Sequence, residues 1–233
     1  MIWLWLISFS LAAAHPLAGA SLHGRIELRD SKERSVQKGH DYSGVVVWLE
    51  PLNAKPPQAA PGTATMVQKN KRFLPHVLAI RTGTVVDFPN QDPIFHNAFS
   101  NYSGQIFDIG LYKPGSTRSV AFKRPGIVRV FCNIHQNMSA VIVVLDTPWF
   151  ATTTASGKFR IDGPPPGEYR LQVFHERATA EELARHTRTV RIVEPTVELP
   201  PLQISESGFL PAPHLNKHGK PYESEPESYK VVR

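Results

Sequence analysis

Short runs of β-branched and aromatic residues recur along most of the chain, each bounded by Gly, Pro, Asn or Asp. Segments 45–49, 77–80, 84–88, 119–122, 128–131, 141–145, 158–161, 169–174 and 189–193 all have this character. Side chains alternate across a pleated strand, so runs of this length suit the faces of a sheet better than the stripe of a helix. Many short strands at close spacing predict an all-β architecture built on sandwiches. The 21 Pro and 15 Gly fall mainly between the runs, where they end strands rather than interrupt them. Only 178–186, ATAEELARH, has helical character, and it is too short to be stable without packing.

The chain divides by composition. Residues 1–20 hold no Lys, Arg, Asp or Glu, their apolar run 2–14 is short for a membrane span, and Ala18-Gly19-Ala20 has the small-x-small pattern of a signal-peptidase site. An export signal cleaved after Ala20 is expected, which places the mature chain in the periplasm or outside the cell. Stretch 51–62, PLNAKPPQAAPG, has the composition of a linker, and Pro148 stands just past the 141–145 run. These mark boundaries near 62 and 147. Residues 205–233 are polar and without periodicity, and are expected to be an extended tail, disordered or draped on the surface.

A single Cys, Cys132, cannot form an internal disulfide, and in an oxidising compartment an unpaired thiol needs burial or a metal. Its neighbours read FCNIHQNM, which sets Cys132, His135 and Met138 at three-residue intervals on the loop between two strands. A thiolate, an imidazole and a thioether together suit copper in both oxidation states, the Met sulfur serving as a weak axial ligand. A second His is then required. His96, which follows the 84–88 strand and the turn Asn90-Gln91-Asp92-Pro93, is the best placed. His76 and His175 are rivals within or beside strands, and His23, His40, His186, His214 and His218 lie in the flanks or tail.

Residues 63–146 resemble a cupredoxin of the plastocyanin and amicyanin type. The resemblance is carried, in order, by the Phe73–Pro75 element, GTVVDFPN, the His96-Asn97 pair, the PGSTRSVAFKRPGIVRVFC run and the Cys-x-x-His-x-x-Met loop, whose short final gap is amicyanin-like. It implies a Greek-key β-sandwich holding one type 1 copper ion, with Cys132 as thiolate, His96 and His135 as imidazoles and Met138 as the long axial ligand. It also implies that Asn97 hydrogen-bonds across to the Cys132 loop, with Asn133 serving the same lock from the other side.

The flanks, 21–62 and 147–204, resemble a carboxypeptidase regulatory-like, transthyretin-like sandwich, most specifically in GKFRIDGPPPGEYRLQV. That resemblance implies one small sandwich split by the copper domain; the alternative is that 21–62 decorates the central sheet. The combination resembles exported bacterial proteins labelled methylamine utilisation proteins.

The resemblance implies an electron carrier rather than an enzyme. The chain has nothing like a Ser-His-Asp triad, a paired-carboxylate site or a phosphate-cradling Gly loop, and no small-molecule substrate is expected. The formal net charge is +6, and Lys69, Lys71, Arg72, Arg118, Lys123, Arg124 and Arg129 gather in the central block. They would steer an acidic redox partner, such as a c-type cytochrome or a dehydrogenase, toward an apolar face around His135, Pro93, Ile94 and Phe95. Without a basic helix or aromatic RNA-binding motifs, nucleic acid is not expected. Buffering or delivery of copper, suggested by His214 and His218, is the alternative function, followed by an envelope-binding scaffold.

Overall fold

A computed structural model of the chain describes residues 20–57, 62–101, 104–193, 195–211 and 214–222. These residues form eighteen strands and two short helices, so the chain is all-β. The expected export signal, apart from Ala20, lies outside the described residues. Ala20 itself is buried, and its carbonyl accepts the Gly163 amide at 2.9 Å. No helix among the described residues is long and apolar enough to cross a membrane.

The central block contains a five-stranded sheet in the order Val77–Arg81, Ser139–Leu145, Gly126–Phe131, Phe99–Ser100, Phe107–Asp108. A three-stranded sheet of Thr117–Ala121, Val85–Pro89 and Thr63–Thr65 shares its core, and Val67–Lys69 pairs with Arg72–Leu74 as a hairpin. Ile80, Val128, Val130, Ala140, Ile142 and Val144 from the larger sheet meet Val86, Phe88 and Phe122. Cys132 and Met138 are part of this same apolar core.

A second sandwich is assembled from strands on both sides of the central block. Ser21–Arg29 pairs antiparallel with Lys158–Asp162 and parallel with Thr196–Glu198 and Leu202–Ser205. Val46–Pro51 lies between Phe150–Thr152 and Gly167–Phe174, with Arg188–Ile192 at the edge. The alternation of Lys158–Asp162, whose burial runs exposed-buried-exposed-buried-exposed, turns Phe159 and Ile161 into a core with Leu22, Val47, Leu171 and Ile204. Gly157 passes so close to Ser21–Arg29 that a Cβ would stand 2.0 Å from the Ile26 carbonyl oxygen, and its φ of +77° also demands glycine.

The two sandwiches meet through Ser139–Leu145, whose sequence SAVIVVL lacks the polar alternation of a half-buried strand. Ala140, Ile142 and Val144 face the central core, while Val141, Val143 and Leu145 pack with Val46 against Trp48, Phe150 and Phe174. A strand covered on both faces has no solvent side to keep polar.

Three local expectations change. The helix expected over 178–186 spans Ala180–His186, because Thr179 caps it by accepting the Glu182 amide. A further helix, Arg34–Gly39, carries no apolar period to announce it and buries only Val36. The tail is more than a surface drape: Glu206 is buried, bonded to His175 at 2.8 Å, to Ser31 at 2.7 Å and to Arg177 at 3.0 Å.

Candidate metal centre

Residues 132–138 form the loop of a hairpin. Gly126–Phe131 and Ser139–Leu145 pair in a register that sets Phe131 opposite Ser139, so Cys132 leaves one strand where Met138 enters the next. The Cys132 amide donates to the Met138 carbonyl at 3.0 Å and the Met138 amide to the His135 carbonyl at 3.0 Å, which folds the loop back on itself. His96 arrives from the neighbouring segment. It exchanges backbone hydrogen bonds with Tyr112, and Phe99, three residues on, pairs with Phe131.

His96 Nδ1, Cys132 Sγ and His135 Nδ1 converge. The two nitrogens are 3.1 Å apart, and the sulfur lies 3.8 Å from His96 Nδ1 and 3.4 Å from His135 Nδ1. All three residues are buried, at 0%, 0% and 6% exposure for His96, Cys132 and His135. Imidazole nitrogens about 2.0–2.1 Å and a thiolate about 2.3 Å from a first-row ion, at metal-centred angles of about 95–120°, sit roughly 3.0–3.8 Å from one another, so the donor spacing fits one shared ion.

The protonation pattern fits as well. His96 Nε2 donates to Asp92 Oδ2 at 2.8 Å, which leaves the Nδ1 lone pair turned toward the sulfur. Asp92 is held in turn by the amides of Asn70 at 2.6 Å and Lys71 at 2.8 Å, two residues with φ of 55° in the turn of the Val67–Lys69 hairpin. Its own amide donates to Asn90 Oδ1 at 3.0 Å, and Asn90 Nδ2 donates to the Ile94 carbonyl at 2.8 Å. Below this lies a buried group in which Tyr112 donates to the Phe88 carbonyl at 2.8 Å and Gln68 donates to the Tyr112 hydroxyl.

Burial acts on His96, Asp92 and Cys132. It lowers the His96 pKa, against the pull of the Asp92 hydrogen bond and charge. Burial also works to raise the Asp92 carboxyl, but hydrogen bonds from Lys71, His96 and Asn70 prevail and hold it below the usual carboxylate value. The Cys132 thiol is pushed up by burial, while the amides of Asn97, Ile134 and His135 favour the thiolate. A neutral imidazole whose Nδ1 is free to donate is what a metal ligand requires.

Met138 is 1% exposed in the core that holds Cys132. Asn97 accepts the Asn133 amide at 2.5 Å, tying the His96 segment to the Cys132 loop. The Asn133 side chain does not return to that segment; its Oδ1 accepts the Lys217 amide at 2.9 Å. His135 is more enclosed than an open loop suggests, whereas its neighbour Ile134 and the neighbour of His96, Phe95, are 42% and 48% exposed. The rival histidines are engaged elsewhere: His76 pairs with Glu176 at 2.8 Å and His175 with Glu206 at 2.8 Å. His214 stacks on Phe131 with ring centroids 4.1 Å apart. Asp92, noted in the sequence only as a turn residue, was open to recognition by its place four residues before His96. Asp108, Lys217 and Tyr222 carried no such signal.

No family model matches the chain, and no curated protein matches it. Among solved structures it is similar to a purple cupredoxin from Nitrosopumilus maritimus, at 22% identity over 35% of this chain and 99% of that one, with a TM-score of 0.33. A copper-containing nitrite reductase from Thermus scotoductus gives 28% identity over 41% of this chain and 25% of that one, with a TM-score of 0.35. A reduced copper(I) form of an amicyanin variant gives 17% identity over 42% of this chain and 98% of that one, with a TM-score of 0.34.

Proposed function

We propose that the chain is an exported type 1 (blue) copper protein that passes single electrons between partners in the cell envelope. The observation that carries this reading is the buried convergence of His96 Nδ1, Cys132 Sγ and His135 Nδ1, with Met138 in the same core. In this reading His96, Cys132 and His135 hold the ion and the Met138 thioether is a weak axial ligand. Copper bound there supplies a one-electron couple at a site made of both soft and borderline donors.

The chain's own part is to hold those donors still and dry. Asp92 keeps His96 in one tautomer, the Asn97 bond to Asn133 ties two segments together, and the amides of Asn97, Ile134 and His135 offset charge on the sulfur. Four protein donors leave no position for a substrate, which favours a carrier over an enzyme. The flanking sandwich, on the resemblance of its sequence, is of the carboxypeptidase regulatory-like type. Partners in this reading are a c-type cytochrome or a dehydrogenase with an acidic docking face, met in the periplasm or outside the cell and steered by the basic residues of the central block.

The test is to mix the copper-loaded protein with an exported c-type cytochrome and follow both chromophores by stopped-flow absorbance, with metal analysis after separation. Rapid redox exchange with the copper retained is the expected result. Transfer of copper to an acceptor protein faster than electron exchange would decide for delivery instead.

A further inference from the structure

The described part of the C-terminal tail, 214–222, crosses the loop that carries Cys132 and His135 and bonds to it at three positions. The Tyr222 hydroxyl donates to the Cys132 carbonyl at 2.9 Å. The Lys217 amide donates to Asn133 Oδ1 at 2.9 Å. His214 Nε2 donates to the Gln136 carbonyl at 2.7 Å, while its ring lies over Phe131, the residue before Cys132, at 30° to it. Tyr222 and His214 also brace one another, with the hydroxyl 3.2 Å from His214 Nδ1 and the ring centroids 5.2 Å apart.

These contacts close into a ring with the other half of the site. Lys217 Nζ pairs with Asp108 Oδ2 at 2.7 Å, and Asp108 Oδ1 accepts from Asn97 Nδ2 at 3.2 Å. Asn97 Oδ1 accepts the Asn133 amide, and Asn133 Oδ1 accepts the Lys217 amide. The circuit Lys217, Asp108, Asn97, Asn133 thus joins the tail, the Phe107–Asp108 strand, the residue after His96 and the residue after Cys132. The described tail meets the loop through the Cys132 and Gln136 carbonyls, the Asn133 side chain and the Phe131 ring. It takes up the Cys132 and Gln136 carbonyls, which the loop's own backbone bonds, Cys132 to Met138 and Met138 to His135, do not use.

We propose that 214–222 is a clasp on the Cys132 loop, with Tyr222 and Lys217 as positioning residues that hold Cys132 and Asn133 in place whether or not an ion is bound. A loop fixed at Cys132, Asn133 and Gln136 keeps the donors at their separations before metal arrives, so the ion neither has to order the loop nor loosens it on leaving. The same hold keeps the thiol inside the core and away from oxidants.

The description of the loop as a copper loop rests on the function proposed above, but the clasp is testable in metal-free protein. Full-length Tyr222→Phe, Lys217→Met and the double variant are compared with the wild type in two assays: alkylation of Cys132 by iodoacetamide, and amide hydrogen exchange over 132–138. Loss of one such hydrogen bond is worth about tenfold in a local opening equilibrium. The double variant is therefore expected to alkylate and exchange at least about tenfold faster in this loop, with exchange in Gly167–Phe174 unchanged and with Lys217→Arg close to wild type. After copper loading, the double variant should also show a shifted visible band and faster loss of copper to a chelator. Unchanged loop exchange and alkylation, or acceleration shared equally by Gly167–Phe174, would overturn the clasp. Protection in metal-free wild type with no coloured copper complex would leave the clasp standing and remove the copper reading.

Discussion

Asp92 Oδ2 accepts a hydrogen bond from His96 Nε2 at 2.8 Å and thereby turns His96 Nδ1 toward Cys132 Sγ, 3.8 Å away. The carboxylate sets both the tautomer and the electron density of the ring. Asp92→Asn removes the charge and one of the acceptors that hold the Asn70 and Lys71 amides. Copper affinity is expected to fall about 10–100-fold, measured by competition with a chelator. The reduction potential should rise, because a less electron-rich imidazole stabilises copper(II) less.

The donor assignment makes distinct predictions for each side chain. Cys132→Ser should abolish the intense visible absorption of the copper(II) protein, since only the thiolate gives strong charge transfer. Met138→Leu should keep the colour and raise the potential, because an axial thioether tunes the couple without anchoring the ion. His96→Ala should lose copper on gel filtration. Full retention of copper by that variant would remove His96 from the ligand set.

The Glu206 cluster predicts an acid limit to stability that has nothing to do with metal. Burial works to raise the Glu206 carboxyl, but hydrogen bonds from His175, Arg177 and Ser31 and the Arg177 charge outweigh it, lowering its pKa from 4.5 to about 2. A carboxyl whose folded pKa is depressed contributes its full stabilisation above the unfolded value and loses it as pH falls. The melting temperature of metal-free protein should therefore drop between pH 4.5 and about 2. Glu206→Gln should flatten that drop and cost roughly 3–5 kcal/mol at neutral pH, as expected for breaking a buried pair.

Ile142 lies in the strand shared between the two cores and is fully buried. Ile142→Ala should destabilise the metal-free protein by roughly 2–5 kcal/mol in urea titration. Neighbouring Val143 faces the other sandwich, so Val143→Asp should disrupt the joint between them. That loss should register as a change in urea m-value or as two separated transitions.

The strand content was legible because each strand announces itself over a few consecutive residues. Segment 141–145 reads as a strand from its apolar run, and the structure extends it to Ser139–Leu145. What the run did not disclose is that Ile142 and Val143 belong to different cores, since an apolar residue carries no label for the partner that covers it. The short helix Arg34–Gly39 was missed for the opposite reason, having one buried residue and no period.

The sequence by itself determined the all-β class and the grouping of Cys132, His135 and Met138, because a seven-residue hairpin loop keeps its members close whatever surrounds it. His96 could be nominated from its turn, but only strand pairing brought it to the sulfur: its approach depends on the bridge to Tyr112 and on Phe99 lying beside Phe131. Tertiary structure alone decided that the Asp92 carboxylate would be anchored by amides some twenty residues upstream, at Asn70 and Lys71. It also decided that a tail without periodicity would bond to the Cys132 loop. Such contacts run from side chains to distant backbone groups, and a backbone group is the same in every sequence, so they leave no pattern until the chain has folded.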